Sequence, residues 1–174
     1  MISEGYKKLL SELHKKEPRW GASGRAFANS VVRLVKENRY TSVLDYGAGK
    51  GALLRRVRGV LKDSITLTNY DPAVEEWSAV PTSEFDLVVC TDVLEHVEYQ
   101  HLSATLSEIS FLTRHRAFLV IHTGPAETIL PDGRNAHLIQ RPPRWWRKTI
   151  VKHFFRIESA VFKAPKITIV ARNS

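Results

Sequence analysis

Val43-Leu44-Asp45-Tyr46-Gly47-Ala48-Gly49-Lys50-Gly51 begins as a short apolar run, ends that run beside an acid, and continues with three glycines at alternate positions. Ala52-Leu53-Leu54-Arg55-Arg56-Val57 follows and reads as a helix. A strand that turns tightly into a helix presents backbone N–H groups and lets a ligand approach the main chain closely. Glycine permits both, because it lacks Cβ and takes positive φ freely. The stretch therefore predicts a parallel α/β sheet holding a nucleotide-like cofactor near residues 45 to 51.

The glycine spacing is not decisive by itself. Gly47-x-Gly49-x-x-Ala52 also satisfies the relaxed dinucleotide fingerprint of dehydrogenases. Two further runs narrow the choice. Ile65-Thr66-Leu67-Thr68-Asn69-Tyr70 reads as a second strand and ends in Asp71, twenty positions after Gly51. An acid at that strand tip is placed to accept hydrogen bonds from ribose hydroxyls. Phe85-Asp86-Leu87-Val88-Val89-Cys90-Thr91 ends in Asp92-Val93-Leu94-Glu95-His96-Val97. On these residues the chain resembles the class I methyltransferases that use S-adenosylmethionine. That family's acid-x-Gly-x-Gly-x-Gly loop is matched by Asp45, Gly47, Gly49 and Gly51, and its second-strand acid by Asp71 in Asn-Tyr-Asp-Pro-Ala. Its fourth-strand motif, Asp-Val-Leu-Glu-His, stands intact at 92 to 96. The resemblance runs from about residue 40 to residue 122.

The family implies a Rossmann-like three-layer α/β sandwich, mostly parallel, with an antiparallel C-terminal hairpin. One departure is visible. Thirteen residues separate Asp71 from Phe85. A crossover helix, a third strand and turns need more chain than that. The sheet is therefore expected to have a short or missing third strand, with residues 72 to 81 forming little more than a turn. No acid stands where the family often places one near the adenine. Trp77, Ser78 or Glu84 are candidates for that face, and Trp77 serves equally as a plug over the sheet edge.

The chain has 174 residues, the size of one domain, divided here into N-terminal helices (1–40), a cofactor-binding core (41–122), a substrate-facing loop and helix (123–155) and a hairpin (156–174). Apolar residues make up 43% and charged residues 25%, as in a soluble globular protein. The apolar runs are too short to span a bilayer, and no signal-peptide pattern opens the chain. One cysteine, Cys90, inside an apolar run excludes a disulfide framework and Cys/His metal spacing. A reducing cytoplasm is the expected setting. The net charge of +8 comes partly from Arg55, Arg56 and Arg58, and partly from Arg134, Arg141, Arg144, Arg147, Lys148 and Lys152. A solvated basic face explains it, and a nucleic-acid partner is the alternative.

Outside the core, apolar spacing predicts helices over 2–16 and 24–38, the latter with Ser23 as a possible cap. A helix from about 100 to 113 has Ser103 as candidate cap, and one from Pro143 to about His153 has its proline in the first turn. Strands are expected at 42–46, 65–70, 85–91, 117–122, 156–163 and 166–172.

Methyl transfer from a sulfonium is an in-line displacement. It needs alignment and a nucleophile with a free lone pair, and no metal or covalent intermediate. The resemblance places Asp45 with Gly47, Ala48, Gly49 and Gly51 around the methionine part of S-adenosylmethionine, and Asp71-Pro72 at the ribose. Asp92 or the Thr91 backbone flanks the methionine amino group or sulfonium. Alternatively Asp45 caps the loop's backbone donors, and Asp92 caps a following helix. His96, one helical turn after Asp92, either reaches the chemistry or packs beneath the cofactor, while Glu95 reads as a solvated helix residue. The acceptor side begins at His122-Thr123-Gly124-Pro125. The run Asp132-Gly133-Arg134-Asn135-Ala136-His137, followed by Trp145-Trp146, resembles that of small bacterial and phage methyltransferases. His137 is the candidate general base. Arg134, Asn135 and Trp145 are candidates for holding the acceptor, or else the segment is only a turn.

A small-molecule O- or N-methyltransferase is the expected function. Nucleic-acid methylation is the alternative, although the amino-methylating Asp/Asn-Pro-Pro-Tyr signature is replaced by Thr91-Asp92-Val93-Leu94 and no Pro-Cys dipeptide occurs. A cofactor-binding partner subunit without turnover is a third reading. The oligomeric state is not legible.

Overall fold

The computed structural model describes residues 2–18, 20–62 and 65–173. The ends of the expected domain, Met1 and Ser174, lie outside them. The elements run α1 (Glu4–Lys16), a 3-10 turn (Ser23–Phe27), α2 (Ala28–Asn38), β1 (Ser42–Tyr46), α3 (Ala52–Leu61) and β2 (Thr66–Tyr70). They continue through β3 (Phe85–Thr91), α4 (Leu102–Leu112), β4 (Thr113–His122), α5 (Pro143–Ile150), β5 (Arg156–Lys163) and β6 (Lys166–Arg172).

The six strands form one sheet in the order β2-β1-β3-β4-β6-β5. The first four are parallel, and β6 runs antiparallel to both β4 and β5. Short connections dictate the pattern. Ala164 and Pro165 alone join β5 to β6, which allows only a hairpin. Helical crossovers link β1 to β2 through α3 and β3 to β4 through α4. The expected gap is present: between β2 and β3 lies a 3-10 turn, Glu75–Trp77, and no strand. β2 is thus an edge strand.

Alternation along the strands builds two cores. Val43, Leu87, Val89, Phe118 and Val120 face α2 and α3, where Val31, Val35, Leu53, Leu54 and Val57 meet them. Leu44, Val88, Cys90, Leu119 and Ile121 face α4 and α5, meeting Leu106, Ile109, Leu112, Trp146 and Ile150. β3 is buried along its whole length, as a central strand covered on both faces must be. Among the described residues no helix is long and apolar enough to cross a membrane.

Two helix caps differ from expectation. Ser23 does not cap α2, because the segment enters through a 3-10 turn whose preceding residue is Ala22. Ser103 lies inside α4, which starts from the turn Tyr99–His101. β4 starts four residues earlier than expected, at Thr113, because Thr113–Arg116 extend the pairing with β3.

α1 packs apart from both cores, with Tyr6 and Leu13 against Leu130 and Ala136. Ser3 fixes its start. The Ser3 hydroxyl accepts from Tyr6 N (3.3 Å) and donates to Glu98 Oε1 (2.9 Å), and Ser3 N donates to Glu98 Oε2 (2.8 Å). Ser3→Ala is expected to cost about 1 kcal/mol and to lower the melting temperature by about 2–4 °C, checked by thermal melts of the two proteins.

Candidate active site

The glycine loop turns β1 into α3, and its donors are already in use. Gly47 N and Ala48 N donate to Tyr70 O (2.8 and 3.0 Å), Lys50 N to Gly21 O (2.9 Å) and Gly51 N to Ala48 O (2.8 Å). Gly49 N donates to Asp71 Oδ2 (2.9 Å). The expectation that this loop offers N–H groups to a ligand is therefore corrected: all five are satisfied inside the chain. What the glycines provide is close approach. Gly49 has φ +51, and a Cβ there would lie 2.5 Å from Gly21 O. At Gly47, with φ +81, it would strike the Val93 side chain.

The parallel strands end side by side, so their tips make a row. In sheet order these are Asp71 after β2, Asp45 near the end of β1, Asp92 after β3 and His122 ending β4. Lys166, opening the antiparallel β6, lies beside His122. At about 4.8 Å per strand the row from Asp71 to His122 spans roughly 14 Å. All five residues line one cavity of about 480 Å³.

Each acid has a distinct state. Asp71 is the cap that the sequence reading offered to Asp45. Its two oxygens take Gly49 N and Ala73 N, each at 2.9 Å. Asp45 has no such bonds, and burial, reinforced by the Asp71 charge, pushes its carboxyl up to about 8. Asp92 caps no helix. It stands at φ +55, its Oδ2 paired with Lys166 Nζ at 2.6 Å and its buried Oδ1 without a partner. Thr91, Ala48 and Pro72 also line the cavity. Gly51 does not. It lies under the Trp77 ring, which a Cβ would approach to 2.7 Å, so Trp77 plugs the edge of the loop.

Glu95 is corrected outright. Leu94–His96 is a 3-10 turn, not an outward-facing helix, and Glu95 is fully buried. Its Oε1 accepts from His122 N at 2.8 Å, and its Oε2 has no partner. Burial, with Asp92 nearby, pushes its carboxyl up to about 8. Beside it three imidazoles meet: His137 lies 4.8 Å from His96 and 4.6 Å from His122, centroid to centroid. His96 Nδ1 faces Ala136 O at 2.8 Å, and His137 Nδ1 faces Gly124 O at 2.7 Å. A carbonyl only accepts, so both rings carry their proton on Nδ1 and keep a lone pair on Nε2. Burial first, then His137, takes His96 down to about 4, and burial lowers His137 as well, so both are neutral at pH 7.

The other acceptor-side candidates do not reach the cavity. Arg134 is bound by its neighbour, with Nε and Nη2 on Asp132 Oδ2 at 2.9 and 2.6 Å. Asn135 pins the loop instead. Its Oδ1 accepts from Ala126 N and His137 N, and its Nδ2 donates to Ala126 O. It thereby sets the position of His137. Trp145 packs on Tyr99 and Trp146 with Arg141 over its ring. Meanwhile Tyr6, Leu10, His14, Trp20 and Gly21 form a wall absent from the sequence reading. Its sole sequence signal was a glycine between two helices. Gly21 at φ +74 is where the segment crosses the loop.

The family described as methyltransferase domain matches residues 7–160. No curated protein matches the chain. Among solved structures, a 1,6-didemethyltoxoflavin-N1-methyltransferase from Burkholderia thailandensis, bound to 1,6-didemethyltoxoflavin and S-adenosylhomocysteine, is 15% identical with TM-score 0.67, covering 100% of this chain and 91% of its own. Mitomycin 7-O-methyltransferase is 14% identical with TM-score 0.68, covering 94% of this chain and 60% of its own. Magnesium protoporphyrin IX methyltransferase from Synechocystis PCC 6803, with bound S-adenosylhomocysteine, is 18% identical with TM-score 0.56, covering 86% and 83%. At these identities the likeness is one of fold. The family match over most of its length establishes that this chain belongs to the methyltransferase-domain family, with the Rossmann-like fold of class I.

Proposed function

We propose that the protein transfers a methyl group from S-adenosylmethionine to an oxygen or nitrogen of a small molecule. The observation that carries this is the row Asp71, Asp45, Asp92, His122 along one cavity wall. Asp71 keeps lone pairs for the ribose hydroxyls beyond its two backbone bonds. Asp45 and the orphaned Oδ1 of Asp92, whose other oxygen is paired with Lys166 Nζ, suit a ligand carrying an ammonium and a sulfonium. Such a ligand reaches from the ribose end of the row toward the imidazoles.

The acceptor then lies on the histidine side. His137, neutral and with a free Nε2, takes the proton that the nucleophile loses. His96, packed behind it, keeps that ring in place. The carbon–sulfur bond breaks as the new bond to oxygen or nitrogen forms, its electron pair staying on sulfur as a neutral thioether. Alignment supplies most of the rate. A cavity of about 480 Å³ suits a cofactor and a compact acceptor. Residues 1–174 work as one domain in this reading. The buried lone thiol, Cys90, fits a reducing cytoplasm.

Calorimetric titration tests the cofactor. S-adenosylhomocysteine is expected to bind at micromolar strength or better and NAD not at all, and the reverse result defeats the reading. The net charge of +8 leaves a nucleic-acid acceptor as the alternative, seen as affinity for single-stranded RNA that falls steeply with salt. Tight cofactor binding without turnover on any acceptor marks the partner-subunit reading.

A further inference from the structure

We propose that Glu95, His96 and His137 form a binding site for a divalent transition-metal ion, Zn²⁺ or a near neighbour such as Co²⁺ or Mn²⁺, which holds the hydroxyl oxygen of the acceptor. One donor atom from each of the three lies within 4.8 Å of the other two. Ligands around a tetrahedral ion at 2.0–2.2 Å stand roughly 3.5 Å apart. Small side-chain rotations therefore close the site.

Three independent features of these residues point to a cation. The first is Glu95. Glu95 is fully buried; one of its carboxyl oxygens accepts from His122 N, and the other is buried with no hydrogen-bond partner. Such an orphan is costly unless a donor or a cation meets it. The imidazoles, with Nδ1 protonated, are the wrong partners for one another but the right co-ligands.

The second feature is the orientation of the rings. Metal-bound histidines characteristically donate their second nitrogen to a carbonyl or carboxylate, which fixes tautomer and ring plane. His96 and His137 already do so, at 2.8 and 2.7 Å, through Ala136 O and Gly124 O. Their planes cross at 76°, so the rings meet edge to face and do not stack. The backbone behind His137 is itself held, since Asn135 Oδ1 accepts its N–H at 3.0 Å. The loop thus builds a ligand from a residue far away in sequence and fixes it twice.

The third is location. All three residues line the cavity that receives the strand-tip acids, so the ion has open positions facing ligand rather than protein. Two imidazole nitrogens and one carboxylate oxygen select Zn²⁺, Co²⁺, Mn²⁺ or Fe²⁺ over Ca²⁺ and Mg²⁺, which prefer all-oxygen sets. Three protein ligands with open positions are the pattern of a reactive site.

The catalytic consequence rests on the methyl-transfer reading above. An acceptor hydroxyl bound to the ion loses its proton to solvent near neutral pH, as metal-bound water does. The oxygen then forms its bond to the methyl carbon while the carbon–sulfur pair remains on sulfur. His137 becomes a ligand, and the ion takes over its work as base. This selects hydroxyl-bearing acceptors over amines.

The test uses the whole chain, stripped with chelator and titrated with Co²⁺ and Zn²⁺. Expected are one saturable site and a visible Co²⁺ absorption of a four- or five-coordinate nitrogen–oxygen sphere. Glu95→Gln and His137→Ala are each expected to weaken binding about 100-fold. Circular dichroism verifies their fold, and the wild-type Co²⁺ spectrum reports coordination even where a variant fails to fold. Absence of a saturable site, or binding that both folded variants retain, overturns the proposal. S-adenosylhomocysteine titrated into the same stripped samples separates the two readings. Its binding without metal binding removes only the ion, and metal binding without it removes only the cofactor assignment.

Discussion

Asp45→Asn is expected to raise the melting temperature of the free protein while weakening S-adenosylhomocysteine at least about 100-fold. Both effects have one cause. In the folded chain burial and the Asp71 charge move this carboxyl from 3.8 to about 8. The folded state therefore holds a proton that the unfolded state has released between those values. Stability falls as pH rises from about 4 to about 8 and levels off above, because the unfolded chain binds fewer protons there. Asn, similar in shape and never charged, removes this contribution. The gain therefore grows as pH rises from about 4 to about 8 and is read as a higher melting temperature of the variant, relative to wild type, at pH 8 than at pH 5. A cofactor ammonium reverses the balance, since it needs the ionised form. Wild type is then expected to release a proton from Asp45 on binding at pH 7, and the variant is not. Calorimetry in two buffers of different ionisation enthalpy measures this, and equal affinities in wild type and variant would defeat the assignment.

The largest stability loss is expected from Gly49→Ala. Its Cβ would meet Gly21 O at 2.5 Å and Gly21 Cα at 2.6 Å. Both are main-chain atoms, so no rotamer change relieves the contact. The left-handed conformation at φ +51 adds about 1–2 kcal/mol for any L side chain, and the forced separation adds about 1–3 kcal/mol. It also breaks the Lys50 N to Gly21 O bond, worth about 1 kcal/mol. Together the loss is about 3 kcal/mol or more, read as a lower urea midpoint, and cofactor affinity falls with it because Gly21 and its neighbours are one cavity wall. Gly59→Ala is the matched control. Nothing lies within 4 Å of its Cβ position inside α3, so it is expected to gain about 0.5–1 kcal/mol.

The sheet was legible because its signals are local. The first three strands are short runs whose tips are marked by Asp45, Asp71 and Asp92. The missing third strand followed from simple reach, since thirteen residues cannot cross and return. Glu95 was misread because its motif looked like an ordinary helix start. Only the 3-10 geometry, with His122 N as donor, turns the side chain inward. Arg134 and Asn135 were misassigned for the opposite reason. They look free in sequence, yet Asp132 and Ala126 occupy them, contacts fixed by how the loop folds on itself. The wall of Tyr6 and Trp20 depends on a fold-back at Gly21 that no spacing encodes. His137 reached the cavity as expected, though the residues that bring it there were not those named.

The glycine loop enters binding with every amide proton committed. A ligand arriving there neither recruits nor releases a backbone donor, so it meets a surface whose ordering entropy was lost when the chain folded. Amide protons at 47 to 51 are accordingly expected to exchange with deuterium slowly in the free protein, and at nearly the same rate once the cofactor is seated. Selection among ligands at this loop is then a matter of fit to a rigid contour, with charge recognition left to the carboxylates along the strand tips.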